Sequence, residues 1–155
     1  MMKILLATAC GAKKNKGRMT AIDLYKSSRI KAVYNRKNGA DFAILSAKYG
    51  LISPTKIIKD YEQILDSKVS RKLIPQVVEF VKDYDLVVFF KGGSREEYRN
   101  LIKQACVNIN KPLVLIGNRN QEDIGKLEDI ILLCEKGNYE DLTTIASSVE
   151  IYNIL

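Results

Sequence analysis

A three-layer α/β fold, with a mainly parallel sheet of about four to five strands and helices on both faces, is what this sequence predicts. Three observations carry that expectation. Short runs recur that are apolar throughout, as strands covered on both faces require. Segments with helical spacing of apolar residues alternate with those runs. Glycine or asparagine follows most of them, as at Cys10-Gly11, Gly92-Gly93 and Gly117-Asn118.

The elements follow in order. Residues 3–9 (KILLATA) form a buried first strand that turns at Cys10-Gly11. Residues 12–18 are basic and make an exposed loop. Thr20 with Asp23 forms a short capping pattern, and Ile22, Tyr25, Ile30, Val33 and Tyr34 extend a helix to about Arg36, ended by Asn38-Gly39. Asp41–Ser46 (DFAILS) is the second strand, leading into the loop Lys48-Tyr49-Gly50-Leu51. Residues 55–66 match no clear period. Residues 67–84 spell a helix, with Pro75 marking a kink or a later start. Leu86–Phe90 (LVVFF) is the third strand. Ser94 then opens a helix to about Cys106, with Glu97 completing a capping box. Leu113–Ile116 is the fourth strand. A helix over 121–134 and a mostly helical tail from Tyr139, capped by Asn138, complete one domain over 1–155.

Composition narrows the chemistry. The chain of 155 residues contains no histidine, so proton transfer falls to carboxylate, cysteine, lysine or tyrosine. Its three cysteines, Cys10, Cys106 and Cys134, are too scattered for a zinc site, and no metal or cofactor is expected. An odd, spaced set of thiols suits a reducing cytoplasm, and no apolar run is long enough to span a membrane. The net charge of +7 is uneven: residues 1–60 carry 13 Lys and Arg against 3 Asp and Glu, and residues 61–155 carry 12 against 15. The basic part points to an anionic partner.

In parallel sheets ligands bind beyond the carboxyl ends of the strands. That rule brings three loops together as a phosphate- or base-binding site. The first offers Cys10, Gly11, Lys13 and Lys14, although the spacing to Gly17 is not that of a P-loop. The second offers Ser46, Lys48, Tyr49 and Gly50: a hydroxyl, an ammonium and a phenol within five residues, suited to phosphate and to stacking. The third offers Gly92, Gly93 and Ser94 at a helix start, with Tyr98 one turn on. Each loop has a plain alternative as a tight turn or a solvated surface. Asp60, Tyr61 and Glu62 are the nearest carboxylates and phenol in sequence. Glu62 or Asp60 would act as general base, with Lys48 holding phosphate. Cys10 reads as a site wall, because no histidine can activate it.

The strings Cys10-Gly-Ala-Lys-Lys, Ala21-Ile-Asp-Leu-Tyr25 and Ile44-Leu-Ser-Ala-Lys-Tyr-Gly-Leu51 together resemble a family of small, uncharacterised prokaryotic and viral domains often labelled YaaA-like. Tyr61-Glu62 resembles its Pro-Tyr-Asp segment, with Asp60 in place of proline. Gly93 and Tyr98 resemble its Gly-x-x-Tyr segment, at a longer spacing. The resemblance covers about residues 3–105. It implies a link to nucleotides, nucleobases or nucleic acid, and it moves weight to Ser46, Lys48 and Tyr49. The expectation is therefore a protein acting on a phosphate-bearing small molecule or nucleic acid, with cleavage of an N-glycosidic bond or base modification as the reaction. The alternative is a non-catalytic DNA- or RNA-binding or nucleotide-sensing protein.

Overall fold

In the computed structural model, which describes residues 2–118 and 122–154, a six-stranded sheet forms the middle layer. Its strands are β1 (Ile4–Ala9), β3 (Asp41–Ser46), β4 (Gly50–Ile52), β6 (Leu86–Phe90), β7 (Leu113–Ile116) and β8 (Val149–Tyr152), in the order β4-β3-β1-β6-β7-β8. The four inner strands β3, β1, β6 and β7 run parallel. The edge strands β4 and β8 are antiparallel to their neighbours. Every residue of β1, β6 and β7 is buried, as the unbroken apolar runs require. A separate two-stranded ribbon pairs β2 (Arg18–Thr20) with β5 (Ile57–Lys59).

The helices form the outer layers. α3 (Ser67–Val81) and α4 (Glu96–Asn108) pack against each other on one face. α2 (Ser28–Asn35) lies along β1, and Arg36 at its end reaches Glu128 of α5 (Leu127–Glu135) at 3.1 Å. Two short helices, α1 (Ala21–Leu24) and α6 (Leu142–Ile145), and single turns of 3₁₀ helix at Glu122–Lys126 and Tyr139–Asp141 complete the elements. No helix among the described residues is long and apolar enough to cross a membrane.

Several local expectations change. The helix expected over 20–36 is interrupted at Tyr25–Ser27, because Lys14 pairs with Tyr25 in an isolated antiparallel bridge and pulls that stretch straight. Ser27 then caps α2 by accepting from the Ile30 amide at 3.2 Å. Thr20 stands at the start of α1, but its hydroxyl donates to Asp23 at 2.9 Å and caps no amide. The Ser94–Glu97 capping box does not form. Ser94 donates to the Lys91 carbonyl at 2.7 Å, closing a turn in which Gly93 has φ +77°, and Glu97 pairs with Arg95. α4 begins one residue after Arg95 without a side-chain cap. α3 runs through Pro75 and is capped by Asp66, whose carboxylate accepts from the Val69 amide at 2.8 Å. Gly50 and Leu51, expected as loop, form with Ile52 an edge strand, and the tail ends in strand β8 after little helix. Arg99 and Lys91 hold β8 through Glu150, at 3.0 and 3.3 Å. Gln121, where the helix over 121–134 is expected to start, lies outside the described residues; helix follows from Glu122.

Candidate functional site

The sheet order fixes where a crevice opens. The chain leaves β1 toward β3, then crosses back over β1 to reach β6. The loops after β1 and β6 therefore diverge to opposite sides, and the gap between them is the topological switch point of an open α/β sheet. A cleft of about 240 Å³ lies there, lined by Cys10, Gly11, Ala12 and Lys14 from the first loop and Gly93, Ser94, Arg95 and Tyr98 from the third. Gln63 and Ile64 complete its wall from the segment between β5 and α3, and Arg29 forms part of its floor.

Arg29 lies on the buried side of α2, next to Ile30 and four residues before Val33. The spacing turns it inward, where it is only 7% exposed. Its Nη1 donates to Thr8 Oγ1 at 2.6 Å and to the Ala9 carbonyl at 3.0 Å, and Thr8 Oγ1 donates to the Phe90 carbonyl at 3.0 Å. The guanidinium thus pins the carboxyl end of β1. It makes no ion pair with any carboxylate among the described residues. Burial lowers its pKa from the ordinary arginine value, and interaction with Cys10 acts the other way.

Beside it, Cys10 Sγ lies 3.3 Å from the Tyr98 hydroxyl. Burial, followed by the proximity of Cys10, raises the pKa of that phenol well above the ordinary tyrosine value. A second phenolic group adjoins the cleft. Tyr61 OH is 2.7 Å from both Tyr25 OH and Ser46 Oγ. Ser46 Oγ already accepts from the amides of Lys48 and Tyr49, both at 3.1 Å. With both acceptor sites of the serine occupied, its proton is directed to Tyr61. Burial pushes the Tyr25 pKa to about 12 and raises that of Tyr61 further. Lys14 Nζ sits 4.4 Å from the centre of the Tyr61 ring, within cation–π range. Tyr49 meets the same ring edge-on at 5.6 Å, and Lys48 lies over Tyr49.

The three loops expected to converge do so unequally. Cys10, Gly11, Lys14, Gly93, Ser94 and Tyr98 line the cleft. Ser46, Tyr49 and Tyr61 stand behind it as one hydrogen-bonded and aromatic support. Lys13 and Lys48 are exposed outside it. Gly92 lines a neighbouring cleft of about 490 Å³ with Lys91, Arg99 and Ser148; Gly93, Ser94 and Arg95 border both. Gly50 has a backbone role: it takes φ +75°, and a Cβ there would meet Gln76 Oε1 at 1.9 Å. Gln76 bonds both the amide and the carbonyl of Leu51, at 2.8 and 2.7 Å, and so occupies the free edge of β4. Asp60 accepts from the Gly17 amide at 3.0 Å, continuing the ribbon, and Glu62 is exposed. Neither carboxylate lines the cleft. Among the described residues no group of three or more Cys, Asp or Glu side chains is arranged to hold a metal ion.

Sequence reasoning missed Arg29, Arg95, Gln63 and Ile64. Only Arg29 left a signal, a charge at an apolar-stripe position. Leu65, fully buried, and Tyr61 anchor the strap that carries Gln63 and Ile64, and both anchors depend on tertiary contacts.

An α/β protein with a cationic crevice at its switch point, walled by Tyr98, is the class that this geometry defines. Residues 4–123 match a family of unknown function, DUF6884, and the chain belongs to that family. No curated protein and no solved structure matches it.

Proposed function

We propose that this protein binds a phosphorylated nucleotide-type ligand in the β1–β6 crevice. The phosphate would sit over Arg29 and the backbone of Gly11 and Gly93, and the base or sugar against Tyr98 and Ile64. The observation that carries the reading is Arg29, a nearly buried guanidinium on the cleft floor without a carboxylate partner among the described residues. A buried cation lacking a counter-ion is costly, and an arginine stays charged at neutral pH. Lys14 and Arg95 add charge at the rim, and Arg's planar fork suits phosphate oxygens. The resemblance of the Ser46–Gly50 block to YaaA-like domains supports a nucleotide over a simple carboxylate. With Asp60 and Glu62 away from the cleft, the reading is one of binding, and no bond-breaking step is assigned to a carboxylate.

Calorimetric titration and thermal-shift measurements with adenosine monophosphate, adenosine and inorganic phosphate test it. A ligand at 100 times its Kd stabilises the protein by about 2.7 kcal/mol. The monophosphate should stabilise, the nucleoside should do so far less, and Arg29→Met should abolish the difference. Because Arg29 also holds Thr8 and Ala9, the rim variant Lys14→Ala/Arg95→Ala, which removes none of those bonds, is the companion: folded, with binding at least tenfold weaker. No stabilisation of the wild-type protein by any phosphate-bearing ligand would overturn the reading.

A further inference from the structure

The two-stranded ribbon beside the crevice carries a charge pattern that the fold itself does not explain. Arg18 of β2 is directly opposite Lys59 of β5. Opposed residues of an antiparallel pair project to the same side with Cβ atoms about 4.5–5.5 Å apart, and like charges placed so are destabilising. Both side chains are exposed, whereas Ile58 on the other face is buried. Lys13, Lys16 and Lys56 are exposed on the adjoining segments, and Ile57, 54% exposed, stands on the same outward face as the charged pair. None of these five cations forms an ion pair among the described residues. What sets this group apart is its register: Arg18 and Lys59 are held opposite each other with no acidic side chain between them. An exposed row of unpaired cations, with two of them forced together by strand register, is a surface whose missing component is a polyanion.

Its position says which one. Gly17 and Asp60 exchange backbone and side-chain hydrogen bonds at 3.0 Å that prolong the ribbon toward the crevice. Lys14, three residues before Gly17, and Gln63, three residues after Asp60, both line the cleft. The ribbon therefore leads into the cleft mouth. A lipid surface would want more than the single exposed apolar residue Ile57 on this face. A linear polyanion that ends in an aromatic, phosphate-holding crevice has the chemistry of a nucleic-acid strand.

We propose that the ligand of the crevice is one nucleotide of a single-stranded polynucleotide, whose neighbouring phosphates run along Lys16, Arg18, Lys56 and Lys59. This rests on the nucleotide reading of the cleft for where the strand ends, and on the ribbon alone for the strand itself. A cleft of about 240 Å³ takes one unpaired nucleotide at most, and only an unstacked strand presents one.

Fluorescence anisotropy with labelled 12-nucleotide DNA and RNA strands, between low and moderate salt, reads the proposal. For single strands the log–log salt slope is about −0.7 per phosphate contacted. The Lys16→Ala/Arg18→Ala/Lys59→Ala variant should shallow that slope by about 2 and weaken binding at least tenfold, while adenosine monophosphate binds as to wild type. A Lys136→Ala control should change neither. Lys59→Glu separates surface from scaffold: it gives Arg18 an opposite charge across the ribbon, so Tm should rise while oligonucleotide affinity falls. Strand affinity no greater than that of the mononucleotide, unchanged affinity in the triple variant, or binding to phosphatidylglycerol vesicles but not to strands would overturn the proposal. Ribbon-dependent strand binding with no response to mononucleotide or to Arg29→Met would uphold the track and remove the cleft reading instead.

Discussion

Ser46→Ala should destabilise the protein by more than its small change in volume suggests. Ser46 is fully buried, and its Oγ accepts two amide bonds while giving its proton to Tyr61. Removing the hydroxyl leaves the Lys48 and Tyr49 amides without their partner and takes from Tyr61 one of two hydroxyl contacts. A buried group stripped of its partner costs about 1–3 kcal/mol. Lys48 is exposed, so its amide can be hydrated, whereas Tyr49 is half-buried. The expected loss is roughly 2–3 kcal/mol, which for a chain of this size lowers Tm by about 4–12 °C. Tyr61→Phe deletes the other end of the same bond and should cost about 2 kcal/mol, since Tyr25 also loses its contact. The shared bond can be lost only once, so the double variant should fall short of the sum by about 1 kcal/mol. Urea unfolding, with m unchanged across the series, measures all four corners of the cycle. A Ser46→Ala loss under about 0.5 kcal/mol, or additivity within that margin, would refute the directional bonding assigned to Ser46.

Two further outcomes follow from the buried phenols and thiols. Burial raises Tyr25 from 10.0 to about 12, and raises Cys106 and Cys134 from 9.0 to about 12. Above the unfolded pKa values the unfolded chain releases these protons while the native state keeps them, so stability should fall as pH rises from about 9 to about 12, and Tyr25→Phe should flatten the upper part of that decline. Cys106 and Cys134 are fully buried, whereas Cys10 faces the cleft. Cys10 is only 8% exposed but opens to the cleft, so a disulfide reagent at pH 8 should modify it in the native protein before the other two, which react only on unfolding, and a bound nucleotide should slow that first reaction.

The inner sheet was legible from sequence because its signal is local. Apolar runs at β1, β3, β6 and β7 are buried on both faces, and burial on both faces leaves no polar alternation to misread. The edges were not legible. Gly50–Ile52 and Val149–Tyr152 are short, and each becomes a strand only because a neighbour offers hydrogen bonds: Ser46 and Gln76 for the first, Ile116 and the Lys91–Glu150–Arg99 group for the second. The capping box at Ser94 failed for a similar reason. The hydroxyl had a nearer acceptor in the Lys91 carbonyl once Gly93 closed the turn.

The two strand-end loops at Cys10–Lys14 and Gly93–Tyr98 follow from the rule for parallel sheets and from residue type, and they do line the cleft. By itself, then, the sequence determined the α/β class, the polarity of charge between its halves, the lack of histidine chemistry and the loops at the strand ends. Only the tertiary structure decided which side chains those loops share. It turned Ser46 and Tyr49 from lining to support, left Lys48 in solvent, tied Asp60 to Gly17, and brought Arg29 from the first turn of α2 to the floor of the crevice. The physical reason is that strand burial is written in neighbouring residues. The partner of a buried polar group, by contrast, lies 15 to 36 positions away for Tyr61 and 21 away for Arg29, and is chosen when the sheet order is set.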